Sequence, residues 1–260
     1  MQAQVRRTGG LFFDLDDVKF IVDPGPGALV HAHALGLNPD KWNGVFVSHL
    51  HPDNCSDANV LLDGMKEPFL VAEEHCVLPM EKLKSKRNGK KNFHWYPIVS
   101  YYHQNFAKHL HPVKHKDVVN VAGLAVNVYK SLHYDPTVGF FIKHQKIKIG
   151  YPADGPYYKG QEKHYDGCDV LILNILIPKG KKPLERKHMS VDDAIRFVNG
   201  MKSKPKVVIM QHFSFWMLRS NIWKQSKILQ DATKVRVIHA EDFMEVDLKT
   251  FETRILKPKA

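Results

Sequence analysis

The stretch VFVSHLHPDN, residues 45–54, is the feature that most constrains the fold. It places His49, His51 and Asp53 at alternate positions directly after an apolar, β-branched run. Side chains two residues apart in a segment that leaves a strand can point into the same cleft. Imidazole and carboxylate groups are common protein ligands of zinc-like ions. The stretch therefore predicts a buried strand that delivers three potential metal ligands to one edge of a sheet.

Three further chemically active side chains stand where apolar strands end. His133 ends the segment NVYKSLH, Asp154 follows KIGYPA, and His212 follows VVIMQ. Loops at strand ends carry binding and catalytic groups in many folds. We therefore expect one metal cleft built from these loops, although most of the 16 histidines are expected to be ordinary surface or core residues.

Strand and helix signals alternate along the chain. LFFDL and VKFIVD predict a hairpin, and two more hairpins are predicted around Ala122–Gly123 and Gln145–Lys146. SDANVLLDGMK predicts a helix capped by Ser56 or Asp57, and SVDDAIRFVNGMK predicts one capped by Ser190. WMLRSNIWKQSKIL predicts a single helix over 216–229. Two β-rich stretches, each followed by helices, predict an α/β fold: a four-layer αββα sandwich of two mixed β-sheets flanked by helices.

The length is sufficient for a globular enzyme. The 260 residues predict a single domain, 1–260, with two αβ halves of about 1–130 and 131–260. No apolar run has transmembrane length and the N-terminus lacks a signal-peptide core, so we expect a cytoplasmic protein without membrane contact. Three widely spaced cysteines argue against a disulfide framework and against a Cys-rich structural zinc site.

The charge balance favours anionic partners. The formal net charge is +11, from 38 Lys and Arg against 27 Asp and Glu. Two basic runs, KLKSKRNGKK at 82–91 and PKGKKPLERK at 178–187, are predicted to be loops. We expect an anionic small-molecule or nucleic-acid substrate. The oligomeric state, including a homo-oligomer, stays open.

The segment SHLHPD, residues 48–53, resembles the HxHxDH signature of the metallo-β-lactamase fold superfamily. IVDPGPG is similar to the aspartate–glycine turn that precedes that signature. SLHYDPTVGF, GYPADGPY and VVIMQHF resemble the third-histidine, bridging-aspartate and last-histidine segments, in the family's order. The resemblance extends from about residue 11 to about residue 248 and implies the αββα fold.

The resemblance implies a centre with one or two divalent ions, zinc first, with manganese or iron as alternatives. His49, His51 and His133 would hold the first ion, Asp53 and His212 the second, and Asp154 would bridge them. Asn54 stands where the family usually has histidine, and its amide oxygen is a poor ligand beside imidazole for zinc-like ions. The second ion should therefore bind weakly, keep an extra water or be absent. Cys55 is an alternative ligand, but a side chain one residue further along is expected to face away from the position that Asn54 occupies.

The chemistry that the resemblance implies is hydrolysis by a metal-activated water, with Asp53 orienting that water. The segment KHMSVDDAIRFVNGMKSKPKVVIMQHFS is similar to the tRNase Z segment in which a histidine starts a helix and a strand ends in His-Phe-Ser. His188 would then be a general acid or a phosphate contact at the helix N-terminus. The alternative is a surface histidine before the Ser190 cap.

Phosphodiester hydrolysis, as in a nuclease or phosphodiesterase, is the favoured function. A lactonase, thioesterase or β-lactamase-like hydrolase of esters or amides needs only the metals and an apolar pocket, which FSFWML could supply. A third alternative is a non-catalytic metal-binding protein that has lost efficient turnover, because Asn54 replaces an expected ligand.

Overall fold

The computed structural model describes residues 6–7, 10–78, 97–181 and 187–259. The chain divides into two compact units, the first within Met1–Lys114 and Pro258–Ala260 and the second within His115–Lys257. The basic run at 82–91 lies outside the described residues, as do residues 182–186 of the second basic run. The division of a single domain into halves of about 1–130 and 131–260 stays a prediction.

The first unit contains a five-stranded mixed sheet with the order β1-β2-β3-β4-β5. β1 and β2 form the predicted antiparallel hairpin, and the pairs from β2 to β5 are parallel. The strands are β1 Leu11–Leu15, β2 Val18–Val22, β3 Gly44–Val47, β4 Phe69–Glu73 and β5 His109–Val113. The helices are α1 Ala28–Ala34, α2 Pro52–Cys55, α3 Ala58–Asp63, α4 Glu74–Val77 and α5 Tyr101–Gln104, with a 3-10 helix at Pro39–Lys41.

The central strand β3 is buried along its whole length, as its unbroken apolar sequence predicts. Val45 and Val47 share a core cluster with Leu61 of α3 and with Ala32 of α1. Phe46 alternates with these valines, and its ring packs 5.3 Å from the ring of Phe69, centroid to centroid. Burial on both faces fixes the register of β3 and with it the position of the histidines that follow.

The predicted cap of the helix after Asp53 is wrong in detail. Asp57 precedes α3 but makes no side-chain cap hydrogen bond to that helix. Its Oδ2 instead accepts the N–H of Leu29, in the first turn of α1, at 3.0 Å. Ser56 donates its hydroxyl to the carbonyl of Pro52. The Asp57 carboxylate therefore caps α1, a neighbouring helix, instead of α3, the helix that the local sequence pattern predicted.

The second unit contains an eight-stranded mixed sheet with the order β13-β12-β10-β9-β8-β7-β6, and β11 pairs with β10. Its strands are β6 Val118–Val121, β7 Leu124–Ser131, β8 Thr137–His144, β9 Ile147–Tyr151, β10 Val170–Ile177, β11 Met189–Ser190, β12 Val207–Gln211 and β13 Arg236–His239. Its helices are α6 Val191–Gly200, α7 Phe215–Arg219 and α8 Ile222–Thr233, with a 3-10 helix at Gln161–His164. A separate pair is formed by β14 Met244–Val246 and β15 Thr253–Ile255.

Strand direction decides which loops of the second unit come together. The predicted hairpins around Ala122–Gly123 and Gln145–Lys146 are confirmed as antiparallel pairs. β8 is antiparallel to both β7 and β9, whereas β9, β10 and β12 are mutually parallel neighbours. β7, β9, β10 and β12 therefore all run in one direction. The loops that follow them leave the sheet at the same edge, where ligands of α/β sheets bind.

The helices of the second unit pack on its parallel strands. α6 begins with the predicted Ser190 cap, and Ser190 and Asp193 form a reciprocal capping box. Val198 and Phe197 of this helix share a core with Leu171 and Leu173 of β10. The single helix predicted over 216–229 is wrong, because α7 and α8 are separate helices. None of the described helices is long and apolar enough to cross a membrane.

Candidate metal centre

In the first unit, a short relay fixes the ring of His49. Asp23 follows β2 and accepts two hydrogen bonds from Ser48, one from its N–H at 2.7 Å and one from its hydroxyl at 2.6 Å. The Ser48 Oγ lies 2.9 Å from the Nδ1 of His49. Because the hydroxyl proton goes to Asp23, the oxygen accepts a proton from Nδ1, and Nε2 then carries the lone pair. This is the tautomer and support that a metal-binding histidine needs.

The other candidates of the first unit lie at the start of α2. His51 is the residue before its first turn, and its ring lies 4.6 Å from the ring of His49, centroid to centroid. Asp53 and Asn54 occupy the first turn. Asn54 is 3% exposed, and its Nδ2 has no hydrogen-bond partner among the described residues. A polar amide is thus held in the interior beside two predicted ligands.

Cys55 does not fit the role of a substitute ligand. Burial, together with the negative charges of Asp23 and Asp53, raises the pKa of its thiol to about 12. Its Sγ donates to the carbonyl oxygen of His51 at 3.1 Å. The thiol is therefore engaged by a backbone hydrogen bond within its own helical turn.

In the second unit, the carboxylate of Asp154 is surrounded by three imidazoles. Its Oδ2 lies 3.4 Å from Nε2 of His212, 3.8 Å from Nδ1 of His188 and 3.9 Å from Nε2 of His133. Asp154 is 1% exposed. The ligand atoms of His133, Asp154 and His188 all lie within 4.8 Å of one another. Strand direction brings these groups together from the loops after β7 and β9 and from the segment before β11.

The orientation of His133 is fixed by the backbone. Its Nδ1 lies 2.9 Å from the carbonyl oxygen of Lys187, which can only accept, so Nδ1 carries the proton. The lone pair is therefore on Nε2, which faces Asp154. An imidazole with a fixed tautomer, a second imidazole and a carboxylate form a donor set that suits a zinc-like ion. The cluster could bind a divalent metal.

A residue that the sequence reading missed holds Asp154 in place. Asn174 of β10 is 1% exposed and donates from Nδ2 to Asp154 Oδ1 at 2.6 Å. Its Oδ1 accepts from Nε2 of Gln211 at 2.7 Å, and the Tyr151 hydroxyl lies 3.2 Å from Nδ2. The signal was present in the sequence, since Asn174 is the lone polar residue of the strand VLILNILI. Buried polar groups of this kind need partners and often support a site.

Backbone strain occurs at the predicted ligand His212 and at Asp23, which supports His49 through Ser48. Asp23 and His212 are non-glycine residues with positive φ, 50° and 60°. Such conformations cost roughly 1–3 kcal/mol each and persist where surrounding structure enforces them, often at functional sites. In each unit, hydrogen bonds from neighbouring residues thus hold some of the predicted ligands in place. The roles of these residues as ligands, acid or base stay predictions.

Comparison with known proteins places the chain in a family. A family model described as "Beta-lactamase superfamily domain" matches residues 19–213. The protein MJ1374 of Methanocaldococcus jannaschii, described as uncharacterized, is 26% identical over 95% of this chain and 89% of its own length.

Two solved structures share the fold over nearly the whole chain. The metallo-β-lactamase fold protein YhfI of Bacillus subtilis has a TM-score of 0.69, at 16% identity over 92% of this chain and 91% of its own. Human tRNase Z, short form, has a TM-score of 0.65, at 16% identity over 95% of this chain and 94% of its own.

These matches agree with the fold and the site. The predicted α/β class, with mixed β-sheets and flanking helices, is confirmed and matches the metallo-β-lactamase fold. The family model spans every predicted ligand from His49 to His212. The chain belongs to the β-lactamase superfamily and has the metallo-β-lactamase fold.

Proposed function

We propose that the chain hydrolyses phosphodiester bonds with a metal-activated water. The position of His188 is the observation that carries this proposal. Its imidazole lies beside Asp154 and His133, directly before β11 and α6, so it is placed to give a proton to a leaving group that departs at the proposed metal centre. A general acid matters most for a poor leaving group, and the alcohol of an ordinary phosphodiester is one. The likeness to human tRNase Z, which is named for action on RNA, adds support.

The proposed ligand set follows the family pattern. His49, His51 and His133 would hold a first ion, Asp53 and His212 a second, and Asp154 both. Zinc is the expected ion, since imidazole nitrogens dominate the set. When bound, the ion would supply an activated water and positive charge opposite the developing oxyanion. The hydrogen bonds from His49 to Ser48 and from His133 to the Lys187 carbonyl support this proposal. They leave the lone pair of each imidazole on Nε2, where it can coordinate an ion.

The remaining steps fall to the side chains. Asp53 orients the water whose oxygen forms the new bond to phosphorus. As the bond from phosphorus to the leaving oxygen breaks, that oxygen takes a proton from His188. The net charge of +11 favours an anionic substrate of either kind, a nucleic acid or a small phosphodiester. We propose such a substrate in the cytoplasm, without membrane contact.

The test compares turnover of two phosphodiesters that differ only in the leaving group. One releases p-nitrophenol and the other releases a simple alcohol. A chelator should abolish both activities and added Zn²⁺ or Mn²⁺ should restore them. His188→Ala should slow the alcohol ester by about 10²–10⁴-fold, the range of general acid catalysis, and the p-nitrophenyl ester far less. His109→Ala, at an exposed position of β5, is the matched control.

Other outcomes would contradict the proposal in different ways. Equal losses on the two esters would make His188 a binding residue. Turnover of lactones or thioesters alone would assign the chain to the other hydrolases of the fold. One tightly bound ion without turnover of any ester would indicate a metal-binding protein.

A further inference from the structure

A pocket of about 420 Å³ opens beside His133, within the second unit. Its wall includes Leu132, Tyr134, Asp135, Pro136, Pro156 and Lys187. Small-molecule pockets run from about 300 to about 1,000 Å³, so this one suits a single nucleoside-sized group. His133 belongs to the proposed metal centre, and the pocket therefore adjoins the place where the phosphate would react.

Tyr134 gives the pocket an aromatic wall. It follows His133 directly, and the two ring centroids are 5.6 Å apart. Tyr134 is 56% exposed, so its ring is accessible to a ligand. An exposed ring next to a reaction centre can stack on a planar group of the substrate, and every nucleobase offers such a face.

Charges of both signs line the same pocket. The Nζ of Lys187 lies 5.0 Å from the centroid of the Tyr134 ring, so a positive charge accompanies the aromatic wall. Asp135 is also a lining residue and brings a negative charge to this part of the pocket. Asp135 would repel a purely anionic ligand, and a purely apolar ligand would take water away from both charged groups. A nucleotide satisfies all three groups, because it carries a base, sugar hydroxyls and a phosphate.

We propose that this pocket binds the ribonucleoside that stays attached to phosphorus during hydrolysis. The base stacks on Tyr134, the ribose hydroxyls donate to Asp135, and Lys187 contacts a phosphate oxygen. This subsite rests on the proposed phosphodiesterase function and narrows it to nucleotide esters. The backbone carbonyl of Lys187 orients His133, so one residue connects the subsite to the metal centre.

Two esters with the same leaving group test the subsite. The p-nitrophenyl ester of uridine 5′-monophosphate carries the nucleoside, and methyl p-nitrophenyl phosphate lacks it. The measured quantity is the ratio of their kcat/KM values in the metal-loaded protein. We expect a ratio of about 10 or more, the scale that stacking on one aromatic ring gives. Tyr134→Ala should lower the ratio about tenfold, Tyr134→Phe should retain it, and Lys187→Gln should lower it.

Matched controls separate the pocket from general surface effects. Tyr102→Ala removes a tyrosine of similar exposure, 65%, that does not line the pocket. Lys202→Gln removes an exposed lysine, again outside the lining. Neither control should change the ratio. The 2′-deoxyuridine ester should be a poorer substrate than the uridine ester, and Asp135→Asn should narrow that difference.

Calorimetric titration with uridine 5′-monophosphate separates the subsite from the catalytic proposal. Turnover of the methyl ester without preference for the uridine ester would overturn the subsite and leave the phosphodiesterase standing. Absence of turnover, with nucleotide binding that Tyr134→Ala weakens about tenfold, would retain the subsite and reject the phosphodiesterase. Binding that is absent, or that Tyr134→Ala and Lys187→Gln leave unchanged, would overturn the subsite.

Discussion

At the scale of single residues, Asn174 fixes the carboxylate of the predicted ligand Asp154. It donates to Asp154 at 2.6 Å and accepts from Gln211 at 2.7 Å, inside a strand that is otherwise apolar. The carboxylate is therefore held through one oxygen, while the other faces three imidazoles. Residues that orient metal ligands typically change metal affinity by about 10–100-fold when they are replaced.

We expect Asn174→Ala to weaken binding of the first Zn²⁺ by about 10–100-fold, measured by competition with a chromophoric chelator. It should also lower the free energy of unfolding in urea by about 1–3 kcal/mol, because Asp154 Oδ1 and Gln211 Nε2 each lose a buried partner. Asn199→Ala, at an exposed position of α6, is the control. A loss of stability with unchanged zinc affinity would make Asn174 a structural residue only.

The ligand candidates and their supports differ in how visible they are in the sequence. His49, His51 and Asp53 are adjacent in a spaced pattern, so local geometry predicts them. Ser48 and Asn174 act through hydrogen bonds to residues 25 and 20 positions away. Those contacts exist only after the strands pair. In each case the sequence shows a polar residue beside apolar ones. The order of the strands decides which residue it forms a hydrogen bond with.

At the scale of elements, Asn221 separates two helices that the apolar pattern joins. Its φ is 61°, and its side chain accepts the N–H of Lys224 at 3.1 Å, which starts α8. The periodicity of apolar residues continues across Asn221 and therefore does not predict the break. Asparagine tolerates positive φ better than most residues and is also a strong helix cap.

We expect Asn221→Ala to lower the free energy of unfolding by about 2 kcal/mol, from the lost cap and the cost of positive φ for alanine. Asn221→Gly keeps the backbone conformation accessible and should cost only a few tenths of a kcal/mol. Urea denaturation followed by circular dichroism measures both. Equal losses in the two variants would show that backbone strain contributes nothing at this break.

Elements whose partners are close in sequence were predictable, and those that need distant partners were not. The hairpins β1–β2, β6–β7 and β8–β9 follow from short turns between alternating strands. The parallel neighbours β9, β10 and β12 are joined by long connections, and no local signal states their order. The order nevertheless decides the site, because it brings Asp154 and His212 to one edge.

At the scale of the whole molecule, a metal ion that binds the folded chain would also stabilise it, and Asn54 is the residue where we expect to measure that coupling. It is 3% exposed in the first turn of α2, next to the proposed ligand Asp53. A ligand that binds only the folded chain stabilises it by about 1.4 kcal/mol for each tenfold gain in affinity at saturating concentration. Imidazole is the better donor for zinc-like ions.

We expect Asn54→His to destabilise the metal-free protein by about 1–3 kcal/mol, because a larger ring must enter a packed position. The same variant should bind the second ion more tightly, so added Zn²⁺ should raise its Tm more than that of the unchanged chain. Asn54→Gln enlarges the side chain without an imidazole and should show the destabilisation alone. Calorimetric Tm values, with zinc per chain counted by mass spectrometry, measure both effects. If the histidine and glutamine variants gain equally from Zn²⁺, position 54 does not reach the metal, and the amide there has some other function.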